Sequence, residues 1–266
     1  MSNQNASSGK FSNAFAGAAI LIAVIVGWLV YIFVLGNKTN FEGNDPEKHP
    51  VNFLGMMHKG GFIVPFLLAC FVIVVATTIE RFITLRVASG TGSIPMFVRK
   101  INGLLNSSQI DAAISECDKQ KGSVANVIRE GLNKYREMSA KSGLDKDQKV
   151  LAIQKEVEEA TSLELPMLEK NLVLLATISS VATLLGLLGT VTGMIKAFKA
   201  IATAGAPDAV ALSSGISEAL INTALGILSS ILAIIFYNYF TTKIDGMTYG
   251  IDEAGFSIAQ TFASKH

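Results

Sequence analysis

Four apolar runs, together holding a single charged side chain, constrain this chain more than any other feature. They cover residues 14–35, 61–79, 172–195 and 216–240, and the one charge is Glu218. A bilayer core about 30 Å thick is crossed by roughly 20 residues of helix. Only helices and closed barrels satisfy their backbone groups in hydrocarbon. The runs lack the period-2 alternation of barrel strands and are too long for them. The expected fold is an all-α integral membrane protein with four transmembrane helices. Charged residues make up 16% of the chain, against about 25% in soluble domains, which agrees with a large lipid-facing surface and a membrane-lipid environment.

The first run is longer than a signal-peptide core, and no A-x-A-like site follows Leu35, so a retained helix is expected. Arg81, Arg86, Lys170 and Lys243 lie at span ends that the positive-inside rule assigns to the cytoplasm. Lys38, Lys59, Lys196 and Lys199 count against that orientation. The organisation expected is a cytoplasmic N-terminus (1–13), an extra span (14–35) and a periplasmic loop (36–60). A second span (61–79) leads to a helical cytoplasmic domain (80–171). Two further spans (172–195 and 216–240) flank a periplasmic loop (196–215), and a cytoplasmic C-terminal helix (241–266) ends the chain. Turn formers at 43–46 and 49–50 make the first loop an irregular connection.

Within 80–171, Ile110, Ala113, Ile114 and Cys117 share a helical face, and Val124, Val127, Ile128 and Leu132 repeat the pattern. Gly122 separates the two segments, and residues 147–165 read as a further helix that runs on toward the third span, with Pro166 bending it or starting a new turn. The long helices of the last two spans are thus expected to extend into this helical block. A net charge of +1 argues against nucleic acid, which requires a concentrated basic patch. The two cysteines lie in different settings, and the three histidines have no ligand spacing, so no disulfide, metal or cofactor is expected. No phosphate loop or nucleophile elbow occurs, and an enzyme is not expected.

The informative chemistry lies in the last two spans. In lipid, helices associate through small residues and hydroxyls. Ala176, Ser179, Thr183, Gly186, Thr190, Gly193 and Ala197 form one such stripe, and Ala219, Thr223, Gly226, Ser230 and Ala233 form another. Two readings are open: helix–helix packing with hydroxyls bonded to their own helix, or a narrow polar path. An ionisable group within a span is by default functional, which marks Glu218, with Asn222 one turn further on. The alternative is an interfacial acid paired with Lys196 or Lys199. Beyond Glu218 neither stripe has a carboxylate or histidine, so a proton crossing here needs a group lent by a partner helix.

The blocks G-L-L-G-T-V-T-G-M at 186–194 and G-I-S-E-A-L-I-N-T-A-L-G-I at 215–227, with F-Y-N at 236–238, resemble the MotA/TolQ/ExbB proton-channel family, most closely its ExbB members. A-A-I-S-E-C at 112–117, A-N-V-I-R-E-G-L at 125–132 and the Glu80–Arg81 pair extend the resemblance over roughly 61–240. It implies a homo-pentamer around an ExbD-like single-span partner whose membrane aspartate carries the proton. It also implies a TonB-like energy transducer and a bacterial inner membrane of Gram-negative type. In that picture Thr190 and Thr223 face the partner, Glu218 marks the pore mouth, and Thr183, Asn222 and Ser230 extend the path. Gly186, Gly193 and Gly226 pack the helices. A TolQ-type motor, a motility stator and a non-conducting membrane scaffold are the alternatives. The family often has proline at Thr183 and near Leu232, tryptophan at Thr192, and no counterpart of the first span.

Overall fold

The computed structural model describes residues 20–46, 48–203 and 209–265. Among them no strand occurs, only an isolated antiparallel bridge between Phe41 and Pro50. The helices are α1 (Ile20–Leu35), then α2 (Phe53–His58), α3 (Val64–Ala88), α4 (Ile94–Asn106), α5 (Ile110–Gln120), α6 (Gly122–Ala140), α7 (Lys146–Glu169), α8 (Leu172–Thr203) and α9 (Ala209–Lys265). Three of the described helical stretches, Gly61–Ala88, Lys146–Lys199 and Leu212–Lys265, are long and apolar enough to cross a membrane. The shorter apolar helix α1 joins them. This is an all-α membrane protein. Residues 1–19, which include the start of the expected first span and the N-terminal segment, lie outside the described residues.

The last two spans run further than their apolar cores. Residues 196–203 and 209–215, expected in a loop, are helical, because Phe198, Val210 and Leu212 continue the apolar pattern among the polar positions. Pro166 lies inside α7. The helix continues to Glu169, and the break falls at Asn171, which adopts φ 65°.

The chain divides into two compact units. One takes in residues up to Thr78 and Leu174–Tyr237. In it, α1 packs on α3 where Gly27 lets the backbones approach: a Cβ there would lie 3.0 Å from the Ala69 nitrogen. Trp28 meets Phe62 and Phe66 edge-on at 5.9 and 6.2 Å. The segment after α1, expected to be irregular, is tied down. Asn40, 4% exposed, donates to the Val34 and Leu35 carbonyls at 2.8 and 2.9 Å, occupying acceptors that a helix end leaves orphaned. Asn52 donates to Asn40 Oδ1 at 2.9 Å and accepts from the Gly55 N–H at 2.9 Å, which caps α2. Tyr31 stacks on His58 at 4.5 Å and donates to its carbonyl at 3.2 Å.

The other unit takes in Ile79–Val173 and the chain from Asn238 onward. Its core is the face expected from periodicity. Val124, Val127, Ile128 and Leu132 are buried with Phe97, Ile101 and Leu105 of α4 and with Ile251, Ile258 and Phe262 of α9. Tyr135 meets Phe262 edge-on at 5.0 Å. The α5–α6 break needs glycine: Gly122 has φ +82°, and a Cβ there would lie 2.8 Å from the Gly90 nitrogen. A capping box opens α7, with Asp145 accepting from Gln148 N–H at 2.8 Å and the Gln148 side chain accepting from Asp145 N–H at 3.3 Å. Lys265 donates to the Leu105 and Asn106 carbonyls at 2.7 and 3.0 Å, a cation placed on the negative end of α4.

A half-buried ion pair joins α3 to the α7–α8 break. Arg81 is 1% exposed. Its Nη1 donates to the Leu168 carbonyl at 3.1 Å and its Nε to Glu80 Oε2 at 2.6 Å. Glu80 also accepts from Asn171 Nδ2 at 3.2 Å and Thr84 Oγ1 at 3.0 Å.

Cys117 is 2% exposed, and burial, helped by the neighbouring Asp118 charge, pushes its thiol up to about 12 from 9.0. The neutral thiol is the form the fold favours. Its stabilising effect is therefore complete below pH 9 and is lost as pH rises toward 12. A Cys70→Ser variant, with Cys117 as its remaining cysteine, is expected to take up no maleimide at pH 8 until denatured. Rapid labelling of the native protein would refute this placement.

Candidate functional site

The site sits where α8 and α9 touch, and glycine decides how close they come. A Cβ on Gly226 would lie 2.6 Å from the Ala182 carbonyl oxygen and 3.0 Å from Gly186 Cα. A Cβ on Gly186 would lie 3.1 Å from the Asn222 carbonyl oxygen, and one on Gly193 2.8 Å from the Gly215 carbonyl oxygen. The obstacles are backbone atoms, which have no rotamer to move to. Ala182, Ala197 and Ala233 are fully buried in the same unit, and Ala219 nearly so.

The expected stripes therefore separate into two bands. Gly186, Gly193 and Gly226 lie in the buried seam, with Gly189 and Gly215 beside them, and Ser230 is 8% exposed. Thr183, Thr190 and Thr223 are half-buried at its edge. Each of these hydroxyls donates to its own helix: Thr183 to Ser179 at 3.1 Å, Thr190 to Leu187 at 2.6 Å and Thr223 to Ala219 at 3.3 Å. In a single chain that is the local bonding available to a threonine in an apolar helix. Outside the seam, Leu184, Leu188 and Ile195 of α8 and Leu220, Ile227 and Ile231 of α9 are exposed in the isolated chain, from 47% at Ile227 to 64% at Leu220. Such faces require lipid or other helices.

Glu218 lies at one end of the seam. Its carboxylate pairs with Lys196 at 2.5 Å, with side-chain exposures of 12% and 58%. Lys196 is one of the two lysines that the sequence offered as partners. Gly61, at φ +77°, faces the pair: a Cβ there would lie 3.0 Å from Glu218 Cδ and 3.5 Å from Lys196 Nζ. Asn222, expected on a polar path beside Glu218, is enclosed by the chain itself at 0% exposure and donates to the Gly60 carbonyl at 2.8 Å. Gly61 is the residue that sequence reasoning did not place at this site. The turn of glycines at 60–61, just before an apolar run, was the available signal.

From Glu218 to Lys243 the sequence of α9 holds no carboxylate, histidine or lysine, and α8 holds none from Leu172 to Ile195. The seam thus offers small residues and hydroxyls with one acid at its end, but no titratable relay.

The model of the MotA/TolQ/ExbB proton channel family matches residues 119–253, about half of the 266 residues. The chain is 33% identical over 120 residues to the Tol-Pal system protein TolQ of Pseudomonas aeruginosa, covering 45% of this chain and 52% of that protein. It is 30% identical over 200 residues to a biopolymer transport protein ExbB homolog of Methanothermobacter thermautotrophicus, covering 73% of this chain and 66% of the relative. With the biopolymer transport protein ExbB of Pseudomonas putida it shares 40% identity over 80 residues, 30% of this chain and 24% of that one. The matched stretches thus span less than two thirds of these relatives. Two apolar helices in glycine contact, a helical block around 80–171 and a family match running through both place this chain in the MotA/TolQ/ExbB proton channel family.

Proposed function

We propose that this chain is the ExbB-type subunit of a motor driven by the proton-motive force, sited in the inner membrane of a Gram-negative bacterium. Five copies surround an ExbD-like partner whose single span carries a membrane carboxylate, and the assembly drives a TonB-like transducer. The observation that carries this reading is the seam of α8 and α9, which has threonine hydroxyls along its edge, Glu218 at its end and no titratable group between. Such a surface suits a proton carried by another helix. Thr190, Thr223 and Glu218 are the groups that face that carrier, with Thr183 and Ser230 extending the polar surface. A TolQ-type motor uses the same mechanics, and the 33% identity to a TolQ protein keeps it as the second reading.

Thr223→Val and Thr223→Ser test the seam. Valine is near-isosteric but removes the hydroxyl, whereas serine keeps the hydroxyl and loses a methyl group. With the complex purified from its own membranes and reconstituted in vesicles, Thr223→Val is expected to lower proton flux at least about tenfold, because an apolar constriction sheds water. Thr223→Ser should retain most of the flux, and native mass spectrometry should find both assembled. Full flux in Thr223→Val would reduce the seam to packing. A homo-oligomer with no small single-span companion would remove the proton carrier from the proposal.

A further inference from the structure

One buried side chain in the seam is neither packing filler nor open to a path. Asn222 is 0% exposed. Its Nδ2 donates to the Gly60 carbonyl at 2.8 Å, while its Oδ1 has no partner among the described residues. Gly189 of α8 packs directly on it: a Cβ at 189 would lie 2.7 Å from Asn222 Cγ and 2.9 Å from its Nδ2. An apolar side chain of similar size would fill this space without orphaning an acceptor, so the amide calls for an explanation beyond filling.

Gly60 supplies one. It is pressed onto α9, where a Cβ would lie 3.2 Å from Ile221 Cγ2. The next residue, Gly61, occupies the left-handed region at φ +77°, which glycine enters without strain. Its bare Cα faces the Glu218 carboxylate and the Lys196 ammonium. Glu218 and Asn222 are four residues apart and so lie on the same side of α9. One turn of helix therefore grips Gly60 with an amide and rests a carboxylate on Gly61.

We propose that Asn222 is a positioning residue: by holding Gly60 it keeps Gly61 against Glu218 and sets the geometry of the Lys196–Glu218 pair. The inference rests on the reading of Glu218 as a group of the ion path. A carboxylate's proton affinity depends on its distance to a cation and on the backbone that excludes water from it. Release of the turn changes both. Among the described residues, Lys196 from α8 pairs with Glu218, and Tyr31 from α1 feels the Glu218 charge.

The test uses the complex purified from its own membranes with whatever stays bound, in three forms: Asn222→Ala, Glu218→Gln and the double variant. Native mass spectrometry first establishes assembly, and Asn222→Ser replaces Asn222→Ala if the latter does not assemble. In Asn222→Ala, hydrogen exchange in the peptide around Gly60–Gly61 is expected to quicken about tenfold, as when one buried bond is lost. In vesicles the pH profile of proton flux should shift. Adding Asn222→Ala to Glu218→Gln should change neither flux nor profile further, the mark of two coupled residues. Unchanged exchange at the turn, or an equal loss of flux in both backgrounds, overturns the proposal while leaving Glu218 on the path. If Glu218→Gln alone leaves flux and profile intact, the path reading of Glu218 fails and the positioning role falls with it.

Discussion

Arg81→Met is expected to lower stability by about 2–3 kcal/mol, mostly from buried helix-end carbonyls left without a donor, with a smaller share from an ion pair whose acid is partly screened by water. The reason is where the guanidinium goes. The last carbonyls of any helix lack intrahelical partners, and at the end of α7 those of Met167 and Leu168 point at Arg81. The side chain is 1% exposed, so water cannot replace it. Glu80, with a side chain 36% exposed, balances the charge and also collects Asn171 and Thr84. Methionine fills much of the space but donates nothing. Lysine keeps the charge as a single point donor, without the fork that serves a carboxylate and a carbonyl together, and Arg81→Lys should fall between. Unfolding followed by circular dichroism in mild detergent gives the comparison. An unchanged midpoint for Arg81→Met would show that the α3 to α7 contact contributes nothing to stability.

Gly226→Ala and Gly246→Ala add the same methyl group to the same helix and are expected to act in opposite directions. At Gly226 the new Cβ would lie 2.6 Å from the Ala182 carbonyl oxygen, and α8 must move away. Overpacking of this kind costs about 1–3 kcal/mol. In lipid the loss is not offset by burial elsewhere, since small-residue contact is itself what joins the helices. At Gly246 nothing lies within 4 Å of the added Cβ. The substitution there removes unfolded-state freedom from a helix interior and should stabilise by about 0.5–1 kcal/mol. Flux should be lost in the first variant and kept in the second. Equal stability of the two proteins would mean that α8 and α9 do not approach as closely as Gly186 and Gly226 place them.

The sequence by itself determined the class of fold and much of its local structure. The cost of leaving backbone groups unbonded in hydrocarbon makes an uncharged run of twenty residues a helix whatever surrounds it. The face of α6 carrying Val124, Val127, Ile128 and Leu132 was legible for a similar reason, because a period of 3.6 reports one side of one helix. Spacing also marked Glu218, Thr190 and Thr223, because polar groups are rare in spans.

Only the tertiary structure decided which neighbour each face meets. The small-residue stripe of α8 reads as one band in sequence, yet its glycines lie in the seam while its threonines stand at the edge. Which side of a stripe is covered depends on the crossing of α8 with α9, and spacing along one helix does not contain that angle. The bonds of Arg81 to carbonyls 86 and 87 residues away, of Asn222 to Gly60 across 162 residues, and of Lys196 to Glu218 are of the same kind. Each joins a side chain to a partner fixed by packing, so residue type announces the need for a partner while the fold alone supplies it. Asn40 makes the point at short range: in sequence it sits among turn formers, and in the structure it is the residue that ends α1 by taking its last carbonyls.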